Sequence, residues 1–138
     1  MGRGPGSEQP LRSAIELLPY RGTSAGGGYS AVGDLVRFAA ALAGGAVLDS
    51  SMVATATAGK VAGTRPGLRY GFGFEDVTVA SGARRYGHGG GAPGMNGVLW
   101  IYPDAQLVIA VLANLDPPAA DEVARFIEHR LSGVYLPR

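Results

Sequence analysis

The most regular spacing of apolar and polar positions lies near the C-terminus. Ala120, Val123, Ala124, Ile127 and Leu131 recur at the three- and four-residue intervals of one helix face. Ahead of them, Asp116 is a candidate N-cap and Pro117 suits the first helical position. Asp121 and Glu122 suit the positive N-terminal end, Arg130 suits the opposite end, and Gly133 stops the helix. Before this helix the period changes. Leu107 to Ala113 is an unbroken apolar run, which predicts a strand central in a sheet and covered on both faces. Residues 95–102, MNGVLWIY, predict its hairpin partner across a Pro103-Asp104 turn. Residues 84–88 predict a short strand, followed by a glycine turn over 89–94. Tyr70, Phe72 and Phe74 alternate with Gly71 and Gly73, as in a strand with one bulky face.

Further upstream, Leu35, Phe38, Ala39 and Leu42 predict a helix that starts at Ser30, whose hydroxyl caps it, and ends at Gly44-Gly45. A second short helix is predicted from Ser50 to Thr57, stopping at Gly59, and residues 59–69 read as an exposed loop. Residues 11–29 hold a short apolar run, Ile15 to Leu18, and a glycine-rich loop. Residues 1–10 read as a flexible leader, with nothing to bury. Helices, then antiparallel strands, then a helix make an α+β domain over residues 11–138. The run Leu107–Ala113 needs cover on two faces and partners on two edges. One hairpin partner and one long helix do not supply all of it, so part of the cover is expected to be missing.

Composition narrows the function. At 138 residues the chain is one domain or a piece of one. Charged residues make up 17% and the net charge is +1, which excludes charge-driven disorder and a basic nucleic-acid footprint. The absence of cysteine excludes a disulfide framework and a zinc–thiolate site. No apolar run reaches the ~18 residues of a membrane span, and the N-terminus does not read as a signal peptide. The compartment stays open between cytoplasm and the bacterial periplasm or exterior. Glycine is the outlier, at 23 residues of 138, more than twice the usual share of about 7%.

The glycines concentrate around one histidine, in Tyr86-Gly87-His88-Gly89-Gly90-Gly91-Ala92-Pro93-Gly94. Adjacent glycines at a strand margin let a ligand approach the backbone and can turn N–H groups toward a developing oxyanion. His88 is able to carry a proton near neutral pH. The plainer alternative is a glycine turn with a solvated histidine. A phosphate cradle fails, since no Gly-Lys-Ser/Thr follows and the turn leads into a strand. Gly22-Thr23-Ser24-Ala25-Gly26 formally matches G-x-S-x-G, but a nucleophile elbow needs a strand before and a helix directly after. A metal site has no support. His129 reads as a solvated helix residue, and the two histidines have no ligand spacing. Asn114, Asp116 and Trp100 read most simply as strand-end, cap and packing residues.

Taken in order, AGGGYSAVGDLVRFAAAL, LRYGFGFE, YGHGGGAPG and LWIYPDAQLVIAVLAN with a closing helix resemble the C-terminal third of a β-lactamase-related serine hydrolase. This superfamily holds class C β-lactamases, D-alanyl-D-alanine carboxypeptidases and related esterases, and the resemblance covers about residues 20–133. It implies an antiparallel sheet with helices packed on it and three active-site motifs: Ser-x-x-Lys, Tyr-x-Asn or a variant, and Lys-Thr-Gly or His-x-Gly. Only the last has a counterpart, His88-Gly89-Gly90. By resemblance, His88 sits across the cleft from the nucleophile and Gly91 offers its N–H to the oxyanion hole. Gly89, Gly90 and Asn114 are the candidate substrate-binding residues. No cofactor or metal is implied.

The departures are plain. No serine is followed three residues on by lysine, Lys60 is the sole lysine, and no tyrosine begins Tyr-x-Asn. Without an activated serine no acyl-enzyme forms. The expectation is therefore a C-terminal portion of such a hydrolase, inactive alone, whose complete form cleaves a small amide or ester. Its expected partner is the missing N-terminal segment or a second copy of the chain. An oligomerising interaction module without catalysis, and a small esterase using Ser24, are the alternatives.

Overall fold

The computed structural model describes residues 12–132, 134 and 135. The leader expected over residues 1–10 and the stop expected at Gly133 lie outside the described residues. Three helices, α1 (Val32–Ala43), α2 (Ser50–Thr57) and α3 (Ala119–Leu131), accompany six strands: β1 (Val61–Ala62), β2 (Leu68–Tyr70), β3 (Glu75–Thr78), β4 (Arg84–Ala92), β5 (Met95–Tyr102) and β6 (Leu107–Ala113). The strands form one antiparallel meander in chain order. The fold is α+β, as the sequence pattern predicts.

Alternation along β5 divides the core between two faces. Val98, Trp100 and Tyr102 pack with Ile109, Ala120 and Ala124 beneath α3. On the other face Ile101 and Tyr86 pack with Ala39 and Leu42 of α1. Small residues at 120 and 124, both fully buried, let α3 approach the sheet closely. Val123, expected in the buried stripe, is 48% exposed, because the face turned to the sheet is centred on those two alanines.

Several expected boundaries change for identifiable reasons. The helix expected from Ser30 begins at Val32, because the Ser30 hydroxyl bonds the Ala31 carbonyl and caps no N–H. Gly45, at φ +79°, takes the left-handed turn after its end. α2 keeps its expected bounds and is capped by Asp49, which accepts from the Met52 N–H at 2.9 Å. The expected loop 59–69 contains β1 and the start of β2. The aromatic alternation after Tyr70 is not one strand: the Gly71 N–H donates to the Phe74 carbonyl, turning the chain between β2 and β3 and leaving Phe72 exposed. That turn sits on the end of α2, where the Phe72 N–H donates to the Ala56 carbonyl.

The largest difference is β4. Its glycines do not form a turn over 89–94; the ladder with β5 runs from Tyr86↔Ile101 to Ala92↔Met95, and only Pro93-Gly94 turn. A ladder uses backbone groups alone, and two of these glycines are needed for packing. A Cβ on Gly87 would overlap the Leu99 carbonyl oxygen, and one on Gly91 would overlap the Pro117 ring. α3 likewise begins at Ala119, later than Pro117, and Asp116 does not cap it. The Asp116 carboxylate accepts from the Gly94 N–H at 2.8 Å, and the helix is capped from outside by Asn96, whose Oδ1 accepts from the Ala120 N–H at 2.7 Å.

β6 occupies its expected residues, but among the described residues it is an edge strand, paired with β5 only. Ile109 is its one buried side chain, and Leu112 is 43% exposed.

Candidate functional site

β4 is anchored at its start and open at its end. At the start, Arg84 Nε donates to Asp76 Oδ1 at 2.8 Å and its Nη2 donates to the Thr57 carbonyl at 3.0 Å. The other Asp76 oxygen accepts from the Gly59 N–H. This network ties β3, β4 and the end of α2 together. On the α3 face the neighbouring Arg85 is buried, its guanidinium 3.7 Å from the centre of the Trp100 ring. Burial lowers its pKa, opposed chiefly by Glu128. Arg85 Nε lies 3.2 Å from Glu128 Oε1, close enough for charge pairing, but its N–H is not aimed at that oxygen. The same oxygen accepts from the Tyr102 hydroxyl at 2.5 Å. Burial and that bond push Tyr102 well above the usual tyrosine pKa. Burial raises Tyr86 as well.

Beyond Gly87 the strand loses its neighbour. β3 pairs as far as Glu75↔Gly87, whereas β4 continues five residues further along β5. Ala92↔Met95 closes a two-residue turn and is therefore a hydrogen-bonded pair. Counting back, Gly90 and His88 turn their N–H and C=O groups to β5, and Gly91 and Gly89 turn theirs to the unpaired edge. Among the described residues neither the Gly89 nor the Gly91 N–H donates to a backbone or side-chain acceptor outside the ladders.

His88 is exposed at this margin. Its Nε2 lies 2.9 Å from the Tyr70 hydroxyl and its Nδ1 2.5 Å from the Gly89 carbonyl. The two rings meet edge to face at 5.6 Å. Tyr70 reaches His88 past the end of β3. A side chain on Gly90 would meet nothing within 4 Å, so there is open space one residue pair along from the imidazole. A cavity of about 320 Å³ runs beside Gly89–Gly91, lined also by Glu75, Asn96 and Asp121. His88 is not among its lining residues. The imidazole and this cavity are separate features of the same strand end.

The structure thus brings His88, Gly89, Gly90 and Gly91 onto one strand margin. Asn114 follows β6 at the same end of the sheet, exposed and two strands from Gly91. Ser24 is exposed at the tip of a turn closed by the Thr23↔Gly26 bridge, with no strand before it among the described residues and no helix after it until Val32. It is not a nucleophile elbow. His129 is exposed on α3. Among the described residues no cluster of three metal-capable side chains occurs, and no helix is long and apolar enough to cross a membrane.

Two residues of the site escape the sequence reading. Asn96 bonds the Gly90 carbonyl, Asp121 and the Ala120 N–H. Its place two residues before Val98 on an inward-facing register was a usable signal, since a buried amide needs partners. Tyr70 gave no such signal, because its contact depends on where β3 stops.

A family model described as Beta-lactamase matches residues 2–133. Among solved structures, a penicillin binding protein from Bacillus halodurans aligns with TM-score 0.69 and 23% identity, over 78% of this chain and 33% of that one. A D-stereospecific amidohydrolase from Streptomyces sp. aligns with TM-score 0.58 and 24% identity, over 73% of this chain and 29% of that one. The chain spans about a third of the length of these solved structures. No curated protein matches it.

Proposed function

The chain belongs to the β-lactamase family, and from that premise we propose that it is the C-terminal portion of a serine hydrolase and supplies the His-Gly-Gly wall of the active site. The observation that carries the reading is the unpaired edge of β4 beyond Gly87. There the Gly91 N–H is free to meet a developing oxyanion, a role in which one backbone donor is worth several kcal/mol of barrier, on the order of 3. His88 lies three residues away, and Gly89 and Gly90 leave room for a substrate to lie along the strand. The complete protein hydrolyses a small amide or ester through an acyl-serine. The attacking serine and its lysine are not in these residues, since no Ser-x-x-Lys occurs in the sequence.

The test compares the chain with the full-length polypeptide on a chromogenic cephalosporin and a p-nitrophenyl ester. Turnover by the complete polypeptide, reduced by Gly91→Pro and absent from the chain alone, is the expected result. Turnover by the 138-residue chain alone overturns the proposal.

A second reading draws on β6. Its outer edge has no strand partner among the described residues, and most of its apolar side chains are only partly covered. Such an edge favours pairing with another strand, either from an N-terminal segment of the same protein or from a second copy of the chain. Sedimentation of the chain over a range of concentrations tests the second of these; a monomer throughout rules out the copy.

A further inference from the structure

The bonds around His88 determine more than its position. A carbonyl oxygen only accepts hydrogen bonds, so the 2.5 Å contact with the Gly89 carbonyl requires the ring proton on Nδ1. In the neutral ring Nε2 then carries a lone pair, and the Tyr70 hydroxyl at 2.9 Å is its donor. The Gly89 carbonyl faces the edge that β3 has left, so the imidazole also fills the place of a missing ladder bond. We propose that Tyr70 is a positioning residue for His88, holding the neutral imidazole as its Nδ1–H tautomer with both ring nitrogens engaged.

This rests on the reading of His88 as part of a ligand-facing wall, and it changes what that wall offers. With Nε2 occupied, His88 is not a free base at the margin. The accessible acceptor of the pair is the phenolic oxygen of Tyr70, whose own proton is committed to the ring. A ligand hydroxyl or ammonium group would donate to Tyr70, with His88 behind it. Gly73, at φ +80° in the β2–β3 turn, supports the arrangement by letting the chain reverse tightly after Tyr70.

The experiment is a long-range ¹H–¹⁵N spectrum of the ring nitrogens in the whole chain at alkaline pH, with exposed His129 as internal reference. His88 is expected to show a protonated Nδ1 and a bare Nε2. In Tyr70→Phe, which keeps the edge-to-face ring and removes only the hydroxyl, the tautomer ratio should fall by about fivefold, the worth of one neutral hydrogen bond of ~1 kcal/mol. A wild-type ring protonated mainly on Nε2 overturns the proposal, and this result needs no variant to fold. An unchanged ratio in a folded Tyr70→Phe chain also overturns it. Neither readout requires hydrolysis, so failure of the positioning role and failure of the hydrolase reading are told apart.

Discussion

Removing the Glu128 carboxylate should destabilise the chain more than its place on a surface helix suggests. Among the described residues Glu128 is the only acidic group within ion-pairing distance of Arg85, whose side chain is 8% exposed, and it is also the acceptor for the buried Tyr102 hydroxyl. In Glu128→Ala the guanidinium stays between Trp100 and α3 with no opposing charge in contact, and the phenol loses its acceptor. Breaking one partner of a buried ion pair costs about 3–5 kcal/mol. Glu128 is itself 19% exposed, so water reaches the pair and the lower figure, about 3 kcal/mol, applies. That is a large part of the 5–15 kcal/mol by which a typical domain is stable. Trp100, the sole tryptophan, lies against Arg85 and reports the transition by fluorescence. Urea unfolding should show Glu128→Gln between wild type and Glu128→Ala, because the amide still accepts from Tyr102. The double variant Arg85→Met/Glu128→Leu should recover the part of the loss that comes from the unpaired charge, since it removes both charges and keeps the volume, while the Tyr102 hydroxyl stays without its acceptor. A Glu128→Ala chain within about 1 kcal/mol of wild type, or a double variant as unstable as the single one, would refute the reasoning.

Other consequences are checked as directly. Gly91→Ala should cost about 1–3 kcal/mol by overlap with the Pro117 ring, whereas Gly90→Ala, whose Cβ meets nothing within 4 Å, should stay within about 0.5 kcal/mol by the same unfolding assay. Tyr102 and Tyr86 both titrate above their unfolded values. The folded state therefore holds protons that the unfolded chain releases, so these two groups add no pH dependence below about pH 9 and make stability fall with rising pH from about 10. Tyr102→Phe should make that fall shallower; an equal slope would exclude Tyr102 as a source. Asn96→Ala leaves the buried Ala120 N–H unpaired and should cost about 1–3 kcal/mol, with faster amide exchange in the first turn of α3.

Elements with a full period of side chains were legible in the sequence. β5, β6 and α2 have the bounds that the sequence pattern predicts. What was not legible lies where backbone geometry replaces side-chain pattern. The run Gly89–Gly91 has no side chains to alternate, so it reads as a turn, although a ladder needs only N–H and C=O groups. The Tyr70–Phe74 alternation reads as a strand because nothing local announces that Gly71 and Phe74 will bond each other. Asp116 reads as a helix cap from its place before a proline; its carboxylate instead accepts from the Gly94 N–H, 22 residues away in sequence. The His88 segment was legible as a candidate site from its composition. The Tyr70 contact was not, because it follows from the register of three strands.

That register also means the candidate site depends on β3 being short. If an insertion let β3 run two or four residues further beside β4, Gly89 and Gly91 would gain routine ladder partners. The imidazole would lose its carbonyl, and the margin would become ordinary sheet. No reactive side chain would need to change for the margin to close, so among relatives of this chain the length of one hairpin arm is a better guide to an open strand edge than the presence of the histidine.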